Sequence, residues 1–188
     1  MENIYYVVYS IIGFFVISIL GTLFHFLYKF SNMKLFIPFC AVNESIYEHI
    51  KIGIIPMYIY GTIEFLCYKY KNINIDNFSI SLLLKIVIFV IFILILYFGY
   101  YKLIKKDYKN NLIYDIFIFY FSIFLAQFVS YFVIIHESFG FAVCFCSYVM
   151  ISFILFITIY FTYVTPKHTI FKDNKTGTYG IYKIGNKK

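Results

Sequence analysis

"ISLLLKIVIFVIFILILYFGYY", Ile80–Tyr101, decides the fold. It carries one charge, Lys85, near its start, and is otherwise almost wholly aliphatic and aromatic. A helix needs roughly 20 mostly apolar residues to cross a bilayer, and this run has them. Four more runs qualify: Ile4–Tyr28, Ile46–Tyr68, Leu112–Ile135 and Phe139–Tyr163. The spacing predicts an all-α integral membrane protein, a bundle of five transmembrane helices over residues 1–165. Residues 166–188 form a tail.

Composition agrees. The chain is 62% hydrophobic and 13% charged, with a mean hydropathy of +0.82. Soluble domains run nearer 45–50% apolar and about 25% charged. The lipid bilayer is therefore the expected partner. The net charge of +7 does not indicate nucleic-acid binding, because the lysines fall between and after the oily runs. Cys40, Cys67, Cys144 and Cys146 match no zinc or C-x-x-C spacing and read as small buried hydrophobes. The N-terminus lacks the basic region of a signal peptide, so the first run reads as a retained span.

The lysines also set the expected orientation. Loop one, loop three and the tail hold Lys29, Lys34, Lys102, Lys105, Lys106, Lys109, Lys167, Lys172, Lys175, Lys183, Lys187 and Lys188. The other side holds Lys69 and Lys71. This split predicts a cytoplasmic-membrane protein with its N-terminus outside and C-terminus inside. The short run "MKLFIPFCAV", Met33–Val42, is too short to cross and reads as interfacial or re-entrant.

Next to it stands the most polar stretch in the oily part of the chain, "AVNESIYEHIK", Ala41–Lys51. Ser45-x-x-Glu48 reads as a capping box opening the second span. His49 needs another account. With 3.6 residues per turn, His49, Gly53, Pro56, Tyr60 and Glu64 share about 80° of one helix face. Lipid penalises such a face, so it turns to protein or water. Glu64 lies near the outer end, where it either snorkels or faces protein.

His25, Glu44, Glu48, His49, Asp115 and His168 converge on the expected cytoplasmic edge from separate parts of the chain. Together with Asn43 and Gln127, the set His25, Glu44, Glu48, His49 and Asp115 is the candidate ligand-binding group. His25 and His49 are the candidate metal ligands, and Glu44, Glu48 and His49 the candidate catalytic residues, since such groups suit a divalent ion or acid–base work. No H-E-x-x-H spacing is present. Gln127 is a mid-span polar group that needs a partner. Ser122, Ala126 and Ser130 form a small-residue stripe where a neighbouring helix, in this chain or in a second copy, can approach closely. In the tail, "KDNKTG" lies between β-branched and aromatic residues and predicts a short cytoplasmic β-hairpin.

"HFLYKFS", "FCAVNESIYEHIKIGIIPM" and "PKHTIFKDNKTGTYGI" resemble a family of small bacterial multi-pass membrane proteins of unknown function. The family motifs are similar to N-E-S-x-W-E-H-x-K and P-x-x-P-L-F-x-D-x-x-T-G-x-Y-G-I. His25, Asn43, Glu44, Ser45, Glu48, His49, Lys51, Phe171, Asp173, Thr176, Gly177, Tyr179, Gly180 and Ile181 match. Tyr47 stands for the tryptophan, and Thr169-Ile170 for Pro-Leu. The resemblance implies a common fold and a bacterial membrane location, and it supplies no activity. Three functions fit: a small-ligand or transport protein with a polar pocket on the cytoplasmic face, a metal-dependent hydrolase of a lipid-like substrate, and a structural or accessory subunit. A transporter should show a polar path from this edge through Gln127 toward Glu64.

Overall fold

The computed structural model describes the backbone of residues 2–104 and 112–181, and the side chains of 3–99 and 113–181. Lys102, the lysines of 105–109 and those of 183–188 lie outside the described side chains. Five long helices account for most of the rest: α1 (Glu2–Ser31), α2 (Ile46–Tyr70), α3 (Phe78–Ile104), α4 (Leu112–Ile134) and α5 (Phe141–Tyr163). Each contains a stretch long and apolar enough to cross a membrane. Their ends fall within a few residues of the apolar runs, because the polar breaks between runs are also the helix stops. Asn32 and Asn72 end α1 and α2 with positive φ, a conformation asparagine tolerates at a helix terminus.

Side-chain pairs fix the packing. Across α1 and α4, Gly13 meets Gln127, Gly21 meets Phe119, and Thr22 bonds Tyr120. Numbers rise on one helix as they fall on the other, so the two are antiparallel. Phe89 of α3 meets Gly53 of α2 and Phe119 of α4 in the same sense. Tyr47 and Tyr58 of α2 bond carbonyls of Thr158 and Ile151 on α5. Thus α1, α3 and α5 point one way and α2 and α4 the other.

α2 is the centre. Of its most apolar stretch 61% is buried, against 17% for α5. Pro56 lacks an N–H, so Ile52 O loses its usual donor. Gly21 of α1 packs on that carbonyl: a Cβ there would lie 2.9 Å from Ile52 O. The expected face of α2 is confirmed, with Gly53, Pro56, Tyr60 and Glu64 buried and His49 half-buried. Ser122, Ala126 and Ser130 are buried inside this one chain, and Ser81 of α3 donates to Ser130 O. Close approach along that stripe therefore serves α4's own neighbours.

Two expectations change. The predicted hairpin does not form: no strand occurs among the described residues, and the tail shows one isolated antiparallel bridge, Lys172 with Tyr179. Asp173 is the reason. Its carboxylate accepts from the Lys175 and Thr176 N–H groups, winding the chain into a tight loop, with Gly177 at φ +72°. The cysteines also differ from the reading as small buried hydrophobes. Only Cys40 is buried, Cys67 and Cys144 are half-buried, and Cys146 is exposed. The Met33–Val42 run folds as a short 3-10 turn, Lys34–Phe36, followed by buried Ile37, Cys40 and Val42 packed under Tyr28.

Candidate functional site

The site forms where the α1–α2 loop, the start of α2 and the tail meet. Ser45 caps α2 by accepting from Glu48 N at 3.3 Å. The Ser45 carbonyl takes two bonds from His49, one from its N–H at 3.3 Å and one from Nδ1 at 2.8 Å. A ring nitrogen facing a carbonyl must carry the proton, which leaves Nε2 as the free lone pair. The cap thus orients His49 and sets its tautomer.

His25 comes to His49 from the last third of α1. Their ring centroids are 5.2 Å apart. Glu44 completes the group, its Oε2 3.7 Å from His25 Nε2. One ligand atom from each of His25, Glu44 and His49 lies within 4.8 Å of the others. Ligands on one tetrahedral ion with bonds of about 2.0–2.1 Å stand about 3.3 Å apart, so small side-chain rotations would close the set. Behind His49 stands Tyr97, with a centroid distance of 6.1 Å, which donates a hydrogen bond to Asp115.

The tail closes the other side. Lys175 Nζ lies 2.9 Å from Glu44 Oε1. Asp173, buried, also accepts from Glu44 N at 3.2 Å. Asn43 Nδ2 donates to Gly180 O at 2.8 Å, and the Phe171 ring packs tilted against Tyr47 with centroids 4.6 Å apart. Ile181 packs against the Tyr28–Val42 cluster. The two motifs, far apart in the chain, are therefore halves of one structure. Burial raises the Glu44 carboxyl, but the Lys175 bond and the nearby histidines outweigh it and hold it below its usual range. Burial pushes the neighbouring Cys40 thiol up to about 11, which favours the protonated thiol over the thiolate.

Not every candidate reaches the cluster. Glu48 turns the opposite way into a buried ion pair, its Oε2 2.7 Å from Lys51 Nζ and 3.0 Å from Val42 N. Lys51 also donates to Ile37 O and Thr162 Oγ1. Asn43 supports the loop, its Oδ1 accepting from Ser45 N. His168 caps the short turn Thr169–Phe171. Gln127 lies about 18 Å from Asp115 along α4. Tyr97 and Lys175 join the site although nothing in their local sequence marks them. Glu64 does not snorkel: it is buried with Lys85 Nζ 3.0 Å from Oε2, and Tyr68 donates to Oε1. That partner sits on α3, 21 residues away, beyond the reach of helix periodicity.

No curated protein and no solved structure matches the chain at a significant level. The model of a family of unknown function (DUF6512) matches residues 3–181. That range holds His25, Glu44, His49, Asp115, Asp173 and Lys175, and covers the chain almost end to end, so the protein belongs to this family.

Proposed function

We propose that the protein is a multi-pass membrane protein that binds a divalent transition-metal ion through His25, Glu44 and His49 on the cytoplasmic face. The observation that carries this reading is the convergence of two imidazoles and a carboxylate within 4.8 Å, from three separate parts of the chain. Two nitrogens and one oxygen form a common zinc-type donor set that leaves a fourth position for water or substrate. The Nδ1–carbonyl bond of His49 supports the reading, since ligating histidines are held this way. Lys175 on Glu44 is the cation that a metal ion would displace. The lysine distribution supports the orientation, with the N-terminus outside and the tail, residues 166–188, inside the bacterial cytoplasmic membrane.

A hydrolase of a lipid-like substrate is the second reading. Pairing with Lys51 takes Glu48 out as its base and leaves Asp115, next to His49, as the remaining carboxylate. The test is metal content by elemental mass spectrometry, with titration calorimetry, on tag-free protein in detergent. Wild type and His168→Ala should hold close to one ion per chain. His25→Ala and His49→Ala should lose it while keeping their helical signal. Equal binding in all four proteins, or none in wild type after zinc is supplied, overturns the proposal.

A further inference from the structure

The tail loop holds Glu44 by its backbone on two sides. Asp173, 3% exposed, accepts from Glu44 N at 3.2 Å, and Asn174 N donates to Glu44 O at 3.5 Å. Asn43, one residue earlier, donates to Gly180 O at the far end of the same loop. The Asp173 carboxylate and carbonyl also take the N–H groups of Lys175, Thr176 and Gly177, so the loop has little freedom of its own.

Lys175 is the side chain this frame presents to the site. Its backbone N–H is fixed on Asp173 at 2.7 Å, and its Nζ stands 2.9 Å from Glu44 Oε1. The other oxygen, Oε2, faces His25 Nε2 at 3.7 Å. One carboxylate is thus shared between an ammonium on one side and the imidazole pair on the other. A divalent ion seated between Oε2 and the imidazoles stands within a few ångströms of that ammonium, and like charges at that range repel. Lysine can yield to this repulsion, because its four-carbon stem is flexible and the side chain is 61% exposed. The buried Asp173 anchor stays where it is.

We propose that Lys175 is a tethered counter-ion for the empty metal site: its ammonium neutralises Glu44 until a divalent ion takes the carboxylate, and so sets the ion concentration at which the site fills. This role rests on the metal-binding reading of His25, Glu44 and His49. Tethering matters because a loop-held group competes at an effective concentration on the order of millimolar. A cation with no preference for nitrogen meets a carboxylate that is already paired. An ion that suits imidazole gains two more ligands, and so displaces the ammonium. The cost falls on Glu44 before any ion arrives, so it is the same for every divalent ion.

The test is titration calorimetry with zinc and with cobalt(II) on tag-free protein in detergent. Lys175→Met should bind both ions about fivefold more tightly than wild type and by the same factor, the scale of a partly exposed ion pair. Screening should shrink that gain at high concentrations of a non-coordinating salt. Lys175→Arg keeps the charge and should bind as wild type does. Lys172→Met removes an exposed lysine of the same tail, which makes no ion pair among the described residues, and should also match wild type. The Lys175 N–H remains on Asp173 in every variant, so the loop keeps its fold. Affinity in Lys175→Met equal to or below wild type, a gain for one ion alone, or the same gain in Lys172→Met overturns the counter-ion role and leaves the metal site standing. No binding of either ion by wild type overturns the metal reading, and this role with it.

Discussion

Glu48 and Lys51 show how a single residue can be read half correctly. The cap at Ser45 and the acidic first turn follow from local spacing, and both form. The Glu48 carboxylate, though, bonds Val42 N and Lys51 rather than a substrate. Both side chains are almost fully buried. Removing one partner leaves an unpaired buried charge, at about 3–5 kcal/mol. Lys51→Met should lower the unfolding midpoint in detergent accordingly. Glu48→Gln combined with Lys51→Met should recover much of it, and an equal loss in the double variant would contradict a paired role. Glu44 gives a pH prediction. Its carboxyl is held below its ordinary 4.5, so its pairing with Lys175 contributes above that value and fades as pH falls through the lowered one. Lys175 is largely exposed, so the effect on global stability is small. It should appear as tail release only once the pH falls below the ordinary carboxylate range, read from proteolysis by an acid-active protease.

At the scale of elements, the tail and α2 carry the predictions. Asp173 organises the tail loop and ties it to Glu44. Asp173→Ala should free the tail, and trypsin should then cleave after Lys167 and Lys172 much faster than in wild type. An unchanged digestion rate would mean that Phe171 and Ile181 hold the tail alone. Within the bundle, Gly53 lets α2 close on α3: a Cβ there would meet the Phe89 ring at 2.0 Å. Phe89 is fully buried and cannot step aside. Gly53→Ala should cost about 1–3 kcal/mol by overpacking. Gly99→Ala meets nothing within 4 Å and should be neutral or slightly stabilising. Thermal unfolding of the two variants side by side checks the contrast. The helices were legible because each apolar run ends at polar residues. The hairpin was misread because β-propensity on either side of a turn cannot register that one aspartate will capture the turn's N–H groups.

For the whole molecule, alternating helix directions put His25, Glu44, His49 and the tail at one end and Glu64 and Lys85 at the other. With the lysine bias, that end is expected inside the cell. A C-terminal fluorescent-protein fusion should glow and a C-terminal alkaline phosphatase fusion should be inactive; the reverse pattern would invert the orientation and move the proposed metal site outside. Sequence by itself determined the five helices and their ends, the buried face of α2 and the residue types that could bind an ion. Hydrophobicity and spacing report which residues leave water and on which side of their own helix they lie. Only the tertiary structure decided the long-range partners: Glu64 to Lys85, Asp173 to Glu44, and His25 to His49. Each choice depends on how helices are rotated and stacked against one another. That is set by close packing at Gly13, Gly21 and Gly53 across interfaces between residues far apart in the chain.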